Sequence, residues 1–281
     1  LQQVLTPIVE RMPTKIQDSD SFARSMAKLK KQFSNLDWSR VLVAAADVSA
    51  MYPSIDIQWG IDALYHFLLE GGTPPPIAGG YTAMAEVILR HQMLQFGHRV
   101  YRQVIGTAMG TNFAPEYAYA VFWRIERAML RPHHSIHSAI QDDILIGEDL
   151  EILGEEEGDP LRLPLDKEPP PPYYLIPGLG IFLFYGRFID DIFMMRLTDL
   201  SQPDSSDKFR QFIKRFGPLN LDLFKFSTST EFLDMRVTIT RSGPKLTLFE
   251  KPMVTHLFLP PFSQHSTSVH KAWTFQELVR I

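Results

Sequence analysis

Cysteine is absent from the 281 residues, and long apolar runs are scarce. The lack of thiols excludes disulfides, thiolate-bound iron–sulfur clusters and thiol nucleophiles, and it is what an intracellular protein would show. The longest apolar stretch, residues 173–185, is shorter than the roughly 20 residues of a membrane helix and contains Pro177, Gly178 and Gly180. We therefore predict no transmembrane segment and no membrane partner. The chain starts at Leu1 without a signal-peptide pattern or initiator Met, which indicates a piece of a longer protein.

The chain also lacks a net positive charge, because its formal net charge is −4. The excess of acidic residues is local: residues 141–168 contain eleven acidic and two basic residues, which leaves 26 basic and 21 acidic residues elsewhere. The mildly basic remainder is compatible with a nucleic-acid-binding surface. The wider segment 131–172 also contains clustered histidines and four consecutive prolines. Because such a composition buries little apolar surface, we predict an extended or disordered insertion there.

Apolar patterning predicts alternating helices and strands in the rest of the chain. Helix spacing of apolar residues predicts helices within residues 1–40, over 58–70 and 81–95, and from Pro115 onward. The run VLVAAAD predicts a buried strand that ends at Asp47, and IFLFYGRFIDDIFMMRL predicts a strand, a tight turn and a second strand. FKFSTSTEFLDMRVTI and KLTLFEKP predict further short strands.

The tandem carboxylate in YGRFIDDIF carries the strongest chemical signal. Asp190 and Asp191 lie among large apolar residues, where two negative charges are costly unless a cation compensates them. Divalent metals such as Mg²⁺ prefer carboxylate oxygens, so this hairpin is a candidate metal site. A second pair, Asp142 and Asp143, lies in the acidic segment, whose solvated composition gives it no such requirement.

Two further segments carry weaker signals of the same kind. In ADVSAMYPSI, Asp47 ends a predicted strand, the Val48 carbonyl is a further candidate metal ligand, and Tyr52 follows at a distance suited to an incoming sugar. The alternative is a strand followed by a simple turn. In GTAMGTNFAPEYA, two glycines allow close backbone approach before the helix that starts at Pro115. The alternative there is a loop that only caps a core helix.

In chain order these segments resemble motifs A, B and C of reverse transcriptases. More narrowly, AMGTNFAP and RFIDDIF resemble the reverse transcriptases of Penelope-like retroelements, which are relatives of telomerase. EFLDMRV resembles the strand that follows motif C, and LFEKPMVTHLF with SQHSTSVHKAW resembles the primer grip and the entry to the thumb. The resemblance covers nearly the whole chain except residues 131–180.

The resemblance implies an α+β fold, the right-hand polymerase architecture with an antiparallel palm sheet. It implies partial fingers in 1–40, palm and fingers with motifs A and B in 41–130, an acidic Pro-rich insertion in 131–180, palm with motif C in 181–250, and primer grip and early thumb in 251–281. The basic residues of the fingers are expected before residue 1, and most of the thumb after residue 281.

The resemblance also implies an RNA-directed DNA polymerase that takes an RNA template, a DNA primer and deoxynucleoside triphosphates, with two Mg²⁺ ions or Mn²⁺ in their place. A nuclear location is expected for such an element. The implied metal ligands are Asp47 and Asp190 for both ions, with Val48 and the supporting Asp191. The remaining implied roles are the steric gate Tyr52, the nucleotide-contacting pair Met109 and Gly110, and the primer-grip turn Lys251 and Pro252.

Two alternatives remain open. SAMYPSI also resembles motif A of family B DNA polymerases, but that family would require a YGDTDS-like motif C, and RFIDDIF differs from it. A decayed element that keeps the fold and binds nucleic acid without turnover is the other alternative. The three intact aspartates argue against complete decay, whereas the insertion argues for it.

Overall fold

The computed structural model describes residues 1–107, 111–133, 173–176, 178–198, 205–215 and 217–250. Nearly all of them belong to one compact unit, Leu1–Thr247, and a second unit comprises Leu248–Ile281. The first unit contains both helices and antiparallel sheets, so the fold is α+β as predicted.

The helices are α1 (Gln2–Val9), α2 (Ser19–Gln32), α3 (Met51–Ser54), α4 (Ile57–Glu70), α5 (Pro75–Arg90), α6 (Ala114–Met129) and α7 (Ser206–Arg215). The strands are β1 (Val41–Ser49), β2 (Met93–Phe96), β3 (Arg99–Arg102), β4 (Arg131–His133), β5 (Tyr173–Ile176), β6 (Gly180–Phe188), β7 (Asp191–Leu197), β8 (Asn220–Leu221), β9 (Ser229–Phe232), β10 (Met235–Thr240) and β11 (Gly243–Leu248). Within the described part of the chain, no helix is long and apolar enough to cross a membrane.

A six-stranded sheet in the order β4-β5-β6-β7-β1-β8 forms the centre of the fold. Its described pairings are antiparallel, and β1 lies next to β7 although some 140 residues separate them in sequence. Smaller sheets are formed by β11-β10-β9 and by the hairpin β2-β3. The central sheet thus brings the predicted strand after residue 40 beside the predicted aspartate hairpin.

Both faces of the central sheet are buried, which explains the continuous apolar run in β1. Ala44, Ala46 and Val48 face one core, to which α1, α4, α5, α6 and α7 contribute. Val41 and Val43 face a second core with α2 and the sheet of β9 and β10. Because side chains alternate between the two faces of a strand, a strand covered on both sides has no polar face to show.

Several helix predictions are confirmed. Asp18 caps α2, and its side chain and that of Ser21 form a reciprocal capping box. α4 spans 57–70 and α6 begins at Ala114, one residue before Pro115. A proline is tolerated at this position because the first turn of a helix leaves its N–H groups without intrahelical partners.

Other predictions differ from the structure. The helix predicted over 81–95 is α5, which starts earlier at Pro75, ends at Arg90 and is followed by the β2-β3 hairpin. α6, predicted from the helix spacing of its apolar residues, has buried residues on nearly every side, including Glu116 and Glu126. α7 was not predicted. Near the ends of the range predicted as an insertion, 131–180, β4 and β5 pair with each other in the central sheet; residues 134–172 lie outside the described residues.

Candidate functional site

The central sheet places the three predicted aspartates at the same end of β1 and β7. Asp47 on β1 is the direct cross-strand partner of Asp191 on β7, and the Val48 N–H donates to the Asp190 carbonyl oxygen at 3.2 Å. Asp190 lies in the turn between β6 and β7, at or beside which both aspartates were predicted. Asp47 is exposed and the other two are partly buried. Because like charges directly opposite each other destabilise a sheet, this end of the sheet is electrostatically suited to a cation.

A fourth carboxylate, Asp222, lies next to Asp47 on the other side of β1. Its N–H donates to the Asp47 carbonyl oxygen at 2.9 Å, one step beyond the pairing of β1 with β8. Its carboxylate accepts a hydrogen bond from the Ser49 hydroxyl. The sequence analysis missed this residue, because a lone Asp in NLDLF has no local pattern that places it beside β1.

The turn that carries Asp190 has an unusual backbone. Ile189 has a φ of 54°, in the left-handed region that a β-branched residue rarely adopts. Two hydrogen bonds hold it there: its N–H donates to the Tyr119 hydroxyl at 2.9 Å, and its carbonyl accepts from Arg187 Nη1 at 2.6 Å. Strained residues of this kind persist only where their surroundings fix them, and they are frequent at functional sites.

Arg187 forms the centre of a buried cluster behind the turn. Its Nε donates to Glu126 Oε1 at 2.8 Å, and both side chains have no solvent exposure. The guanidinium also lies 4.5 Å from the Tyr119 ring centre and 4.4 Å from that of Phe122. Burial alone would lower the pKa of Arg187, but the charge of Glu126 and the adjacent tyrosines outweigh it and raise the pKa. The arginine therefore remains charged and keeps Glu126 paired.

The N-terminal segment contributes to the same cluster. The Thr14 hydroxyl donates to Glu126 Oε2 at 2.7 Å. The Arg187 N–H donates to the Thr14 carbonyl at 2.7 Å, and the Ile16 N–H donates to the Arg187 carbonyl at 2.8 Å. Residues 14–16 therefore fix the strand that leads into the Asp190 turn.

Tyr52 lies near the aspartates, on the short helix α3 that follows β1. Its side chain is partly buried; burial raises its pKa, and the nearby charge of Asp190 raises it further. The backbone of the predicted motif B segment contacts it, since the Thr107 N–H donates to the Tyr52 carbonyl at 2.8 Å. The beginning of the predicted motif B segment is thus attached to α3, the short helix after β1.

Gly106 makes that attachment possible. Its φ is +78°, and a Cβ built there would lie 2.5 Å from Pro53 Cα and 2.6 Å from the Pro53 carbonyl oxygen. Any side chain would force the two backbones apart, so the contact requires glycine.

Gly106→Ala is expected to lower the free energy of unfolding by at least about 1–3 kcal/mol, because it adds left-handed strain to a backbone clash. Gly79→Ala is the matched control: it lies inside α5 with no atom within 4 Å of the added Cβ, so it should raise stability by about 0.5–1 kcal/mol. Urea unfolding of both variants checks the difference. Equal effects at the two positions would contradict the close contact at Gly106.

The remaining predicted site residues cannot be placed in the same way. Met109, Gly110, Lys251 and Pro252 lie outside the described residues.

Within the part of the chain that the structure describes, no three His, Asp or Glu side chains are gathered into a ready-made metal cluster. Mg²⁺ in nucleotide-handling sites takes one or two carboxylates and completes its shell with water and substrate phosphates. The donor set of Asp47 and its neighbours fits that mode of binding.

Comparisons with known proteins bear on the fold. No protein-family model and no curated protein matches the sequence. The structure of telomerase from Candida albicans, in complex with a TWJ fragment of telomeric RNA, matches with a TM-score of 0.53 and 11% identity over 99% of this chain and 42% of that chain. The structure of apo telomerase from Candida tropicalis matches with a TM-score of 0.50 and 7% identity over 86% of this chain and 40% of that one.

The chain therefore spans less than half the length of the telomerases it resembles. At such low identity the likeness shows the fold alone. The fold is similar to that of these telomerases.

Proposed function

We propose that this chain is the catalytic core of a retroelement reverse transcriptase, similar to those of Penelope-like elements. The observation that carries the proposal is the pairing of Asp47 with Asp191 beside the Asp190 turn, in a telomerase-like fold. The segments around these residues also resemble motifs A and C of reverse transcriptases in order and sequence. We further propose that the central sheet is the polymerase palm, that α1 and α2 belong to the fingers, and that the protein acts in the nucleus.

The proposed cofactor is a pair of Mg²⁺ ions, which Mn²⁺ can replace. Asp47 and Asp190 would ligate both ions, and Asp191 and the Val48 carbonyl would support them. When bound, such ions lower the pKa of an attacking hydroxyl and stabilise the charge on a triphosphate and its leaving group.

The protein's own residues would position the reactants. The Tyr52 ring would lie beneath the sugar of the incoming deoxynucleoside triphosphate, and Gly106 and Thr107 would hold the backbone of Tyr52 and Pro53 in place. Met109 and Gly110 would contact the nucleotide and the template base, and Lys251 and Pro252 would hold the DNA primer. The buried Arg187–Glu126 pair would keep the Asp190 turn rigid. The roles of Tyr52, Met109, Gly110, Lys251 and Pro252 follow the resemblance to reverse transcriptases.

Primer extension tests the proposal directly. The chain, and any longer protein that contains it, should extend a DNA primer on an RNA template when Mg²⁺ or Mn²⁺ is supplied, and chelation should stop extension. Nucleic-acid binding without extension under either metal would favour a decayed relic. Extension on DNA templates alone would favour a DNA-directed polymerase instead.

Sugar discrimination tests the position of Tyr52. Tyr52→Val should raise ribonucleotide incorporation relative to deoxynucleotide incorporation by about 30- to 1000-fold, because it removes the ring that a ribose 2′-OH would strike; this corresponds to about 2–4 kcal/mol. Single-nucleotide extension with each triphosphate measures the ratio. Tyr81→Val removes another partly buried core-edge ring and should leave the ratio unchanged. An unchanged ratio in an active Tyr52→Val enzyme would remove Tyr52 from the site.

A further inference from the structure

The β2-β3 hairpin and the segment just after it, which follow α5 and precede α6 in the sequence, expose several large side chains to solvent. The strands are joined by Gly97 and His98, and Gly97 has the positive φ of 60° that a tight hairpin turn requires. Phe96 is 80% exposed, and Val100, Val104 and Ile105 are each more than 60% exposed. Exposed apolar side chains in such number mark an interaction surface.

The pairing register sorts these side chains into two faces. Phe96 is opposite Arg99, and Leu94 is opposite Tyr101, so Phe96, Arg99 and Tyr101 share one face of the hairpin. We call this the aromatic face. Met93 and Val100 belong to the opposite face and are exposed to a similar extent, 65% and 66%. The hairpin therefore has one face with two rings and a guanidinium, and another without aromatic side chains.

The charge around the hairpin indicates the kind of partner. Residues 90–105 contain three arginines, two histidines and no acidic residue, in a chain whose net charge is −4. Arg90 is paired with Glu86, which leaves Arg99 and Arg102 as exposed positive charges of the hairpin itself. Exposed rings interleaved with arginines are typical of surfaces that stack unpaired bases and contact phosphates. A duplex offers no free base faces along its length, so the fitting ligand is a single strand.

The hairpin is also close to the proposed site along the chain. Gly106 is four positions after Arg102, and Gly106 contacts Pro53 beside Tyr52. A segment of that length spans at most about 14 Å. Since stacked nucleotides advance about 3.4 Å each, the Arg102 end of the hairpin lies within about four nucleotides of that contact.

We propose that the aromatic face of the β2-β3 hairpin binds the unpaired template strand next to the catalytic site. Phe96 and Tyr101 stack on successive bases, and Arg99 contacts a phosphate between them. The identification of the strand as a template rests on the proposed function, whereas the binding of single-stranded nucleic acid does not.

The test measures binding without chemistry. Fluorescence anisotropy is recorded with an RNA template annealed to a DNA primer, either blunt or with about eight unpaired 5′ template nucleotides. Nucleotide and divalent metal are omitted. The wild-type chain should bind the overhang probe more tightly, and Phe96→Ala with Tyr101→Ala should weaken that binding at least about tenfold. Binding of the blunt probe should change by less than about twofold, since no unpaired base is present to stack.

The opposite face supplies the matched control. Met93→Ala with Val100→Ala removes a similar exposed apolar surface from the same hairpin and should leave both probes bound as in the wild type. Arg99→Gln should reduce the slope of log affinity against log salt by about 0.7 for the overhang probe. Circular dichroism unfolding confirms that exposed substitutions leave the fold intact, because their effects should stay within about 0.5 kcal/mol.

Three results would overturn the proposal. The first is a wild-type chain with no preference for the overhang, and the second is equal loss from the two double variants. The third is a change in oligomeric state on sedimentation with unchanged binding, which would make the face a contact between protein copies. A chain that prefers the overhang but never extends a primer would refute the proposed function and leave this inference standing.

Discussion

Asp190→Asn should reduce primer extension by at least about 10³-fold, equivalent to more than about 4 kcal/mol. A neutral amide at the Asp190 turn cannot balance the charge of a divalent ion shared with Asp47. The affinity for Mn²⁺ should fall in parallel. It is measured with primer–template and nucleotide present, from the loss of the electron paramagnetic resonance signal of the free ion. The fold should be retained, because Asp190 is partly exposed in a turn and its carbonyl, which accepts from Val48, is unchanged.

The second aspartate pair in the sequence is the control for this experiment. The double variant Asp142→Asn, Asp143→Asn makes the same kind of substitution at two positions of the acidic segment 141–168. Primer extension by this variant should remain close to that of the wild type. If both sets of substitutions cause equal losses, the acidic segment takes part in the reaction. If Asp190→Asn keeps more than a tenth of the wild-type rate, the proposed metal site is wrong.

Glu126→Gln should lower the free energy of unfolding by about 3–5 kcal/mol. Removing one partner of a fully buried ion pair leaves the other charge uncompensated, and here Arg187 would be left among Tyr119 and Phe122. The Thr14 hydroxyl would also lose its carboxylate acceptor. Chemical denaturation measures the change, and primer extension by the folded fraction reports whether the Asp190 turn is disturbed.

An exposed ion pair gives the matched comparison. Glu231 and Arg236 are separated by 2.7 Å, close to the 2.8 Å of the buried pair, but their side chains are 46% and 50% exposed. Glu231→Gln should therefore cost less than about 1 kcal/mol. Adding Arg187→Met to Glu126→Gln should restore part of the lost stability, because neither charge is then left alone. A double variant that is as unstable as the sum of the single variants would show that packing, not charge, dominates.

The sequence predicted those parts of the fold that depend on local pattern. VLVAAAD predicted β1 because an apolar run followed by a carboxylate is a local signal, and RFIDDIF predicted the β6-β7 turn for the same reason. The pairing of Asp47 with Asp191 is not local, since some 140 residues separate them. Only the resemblance to reverse transcriptases indicated that the two would meet.

The failures have physical causes as well. The strand β2 was predicted as helix because MLQF continues the apolar residues of α5, and its strand conformation depends on pairing with RVYR. Gly97, whose φ is positive, was the local signal for the turn between the two strands. The buried Arg187–Glu126 pair joins residues 61 positions apart. Each charge alone would be expected at the surface. The left-handed Ile189 depends on Tyr119, far away in sequence, and no local propensity favours it.

The pairing of β4 with β5 has a consequence for how this fold tolerates changes in length. Arg131 and His133 are bonded to Leu175 and Tyr173, so the chain leaves the sheet and returns to it at adjacent strands. Loop-closure entropy grows with the logarithm of loop length, at about 0.6 kcal/mol for each doubling. A few doublings of the length between these two strands would therefore cost the fold only about 2 kcal/mol. Sequence can be gained or lost there while β1 and β7 keep the pairing that places Asp47 opposite Asp191.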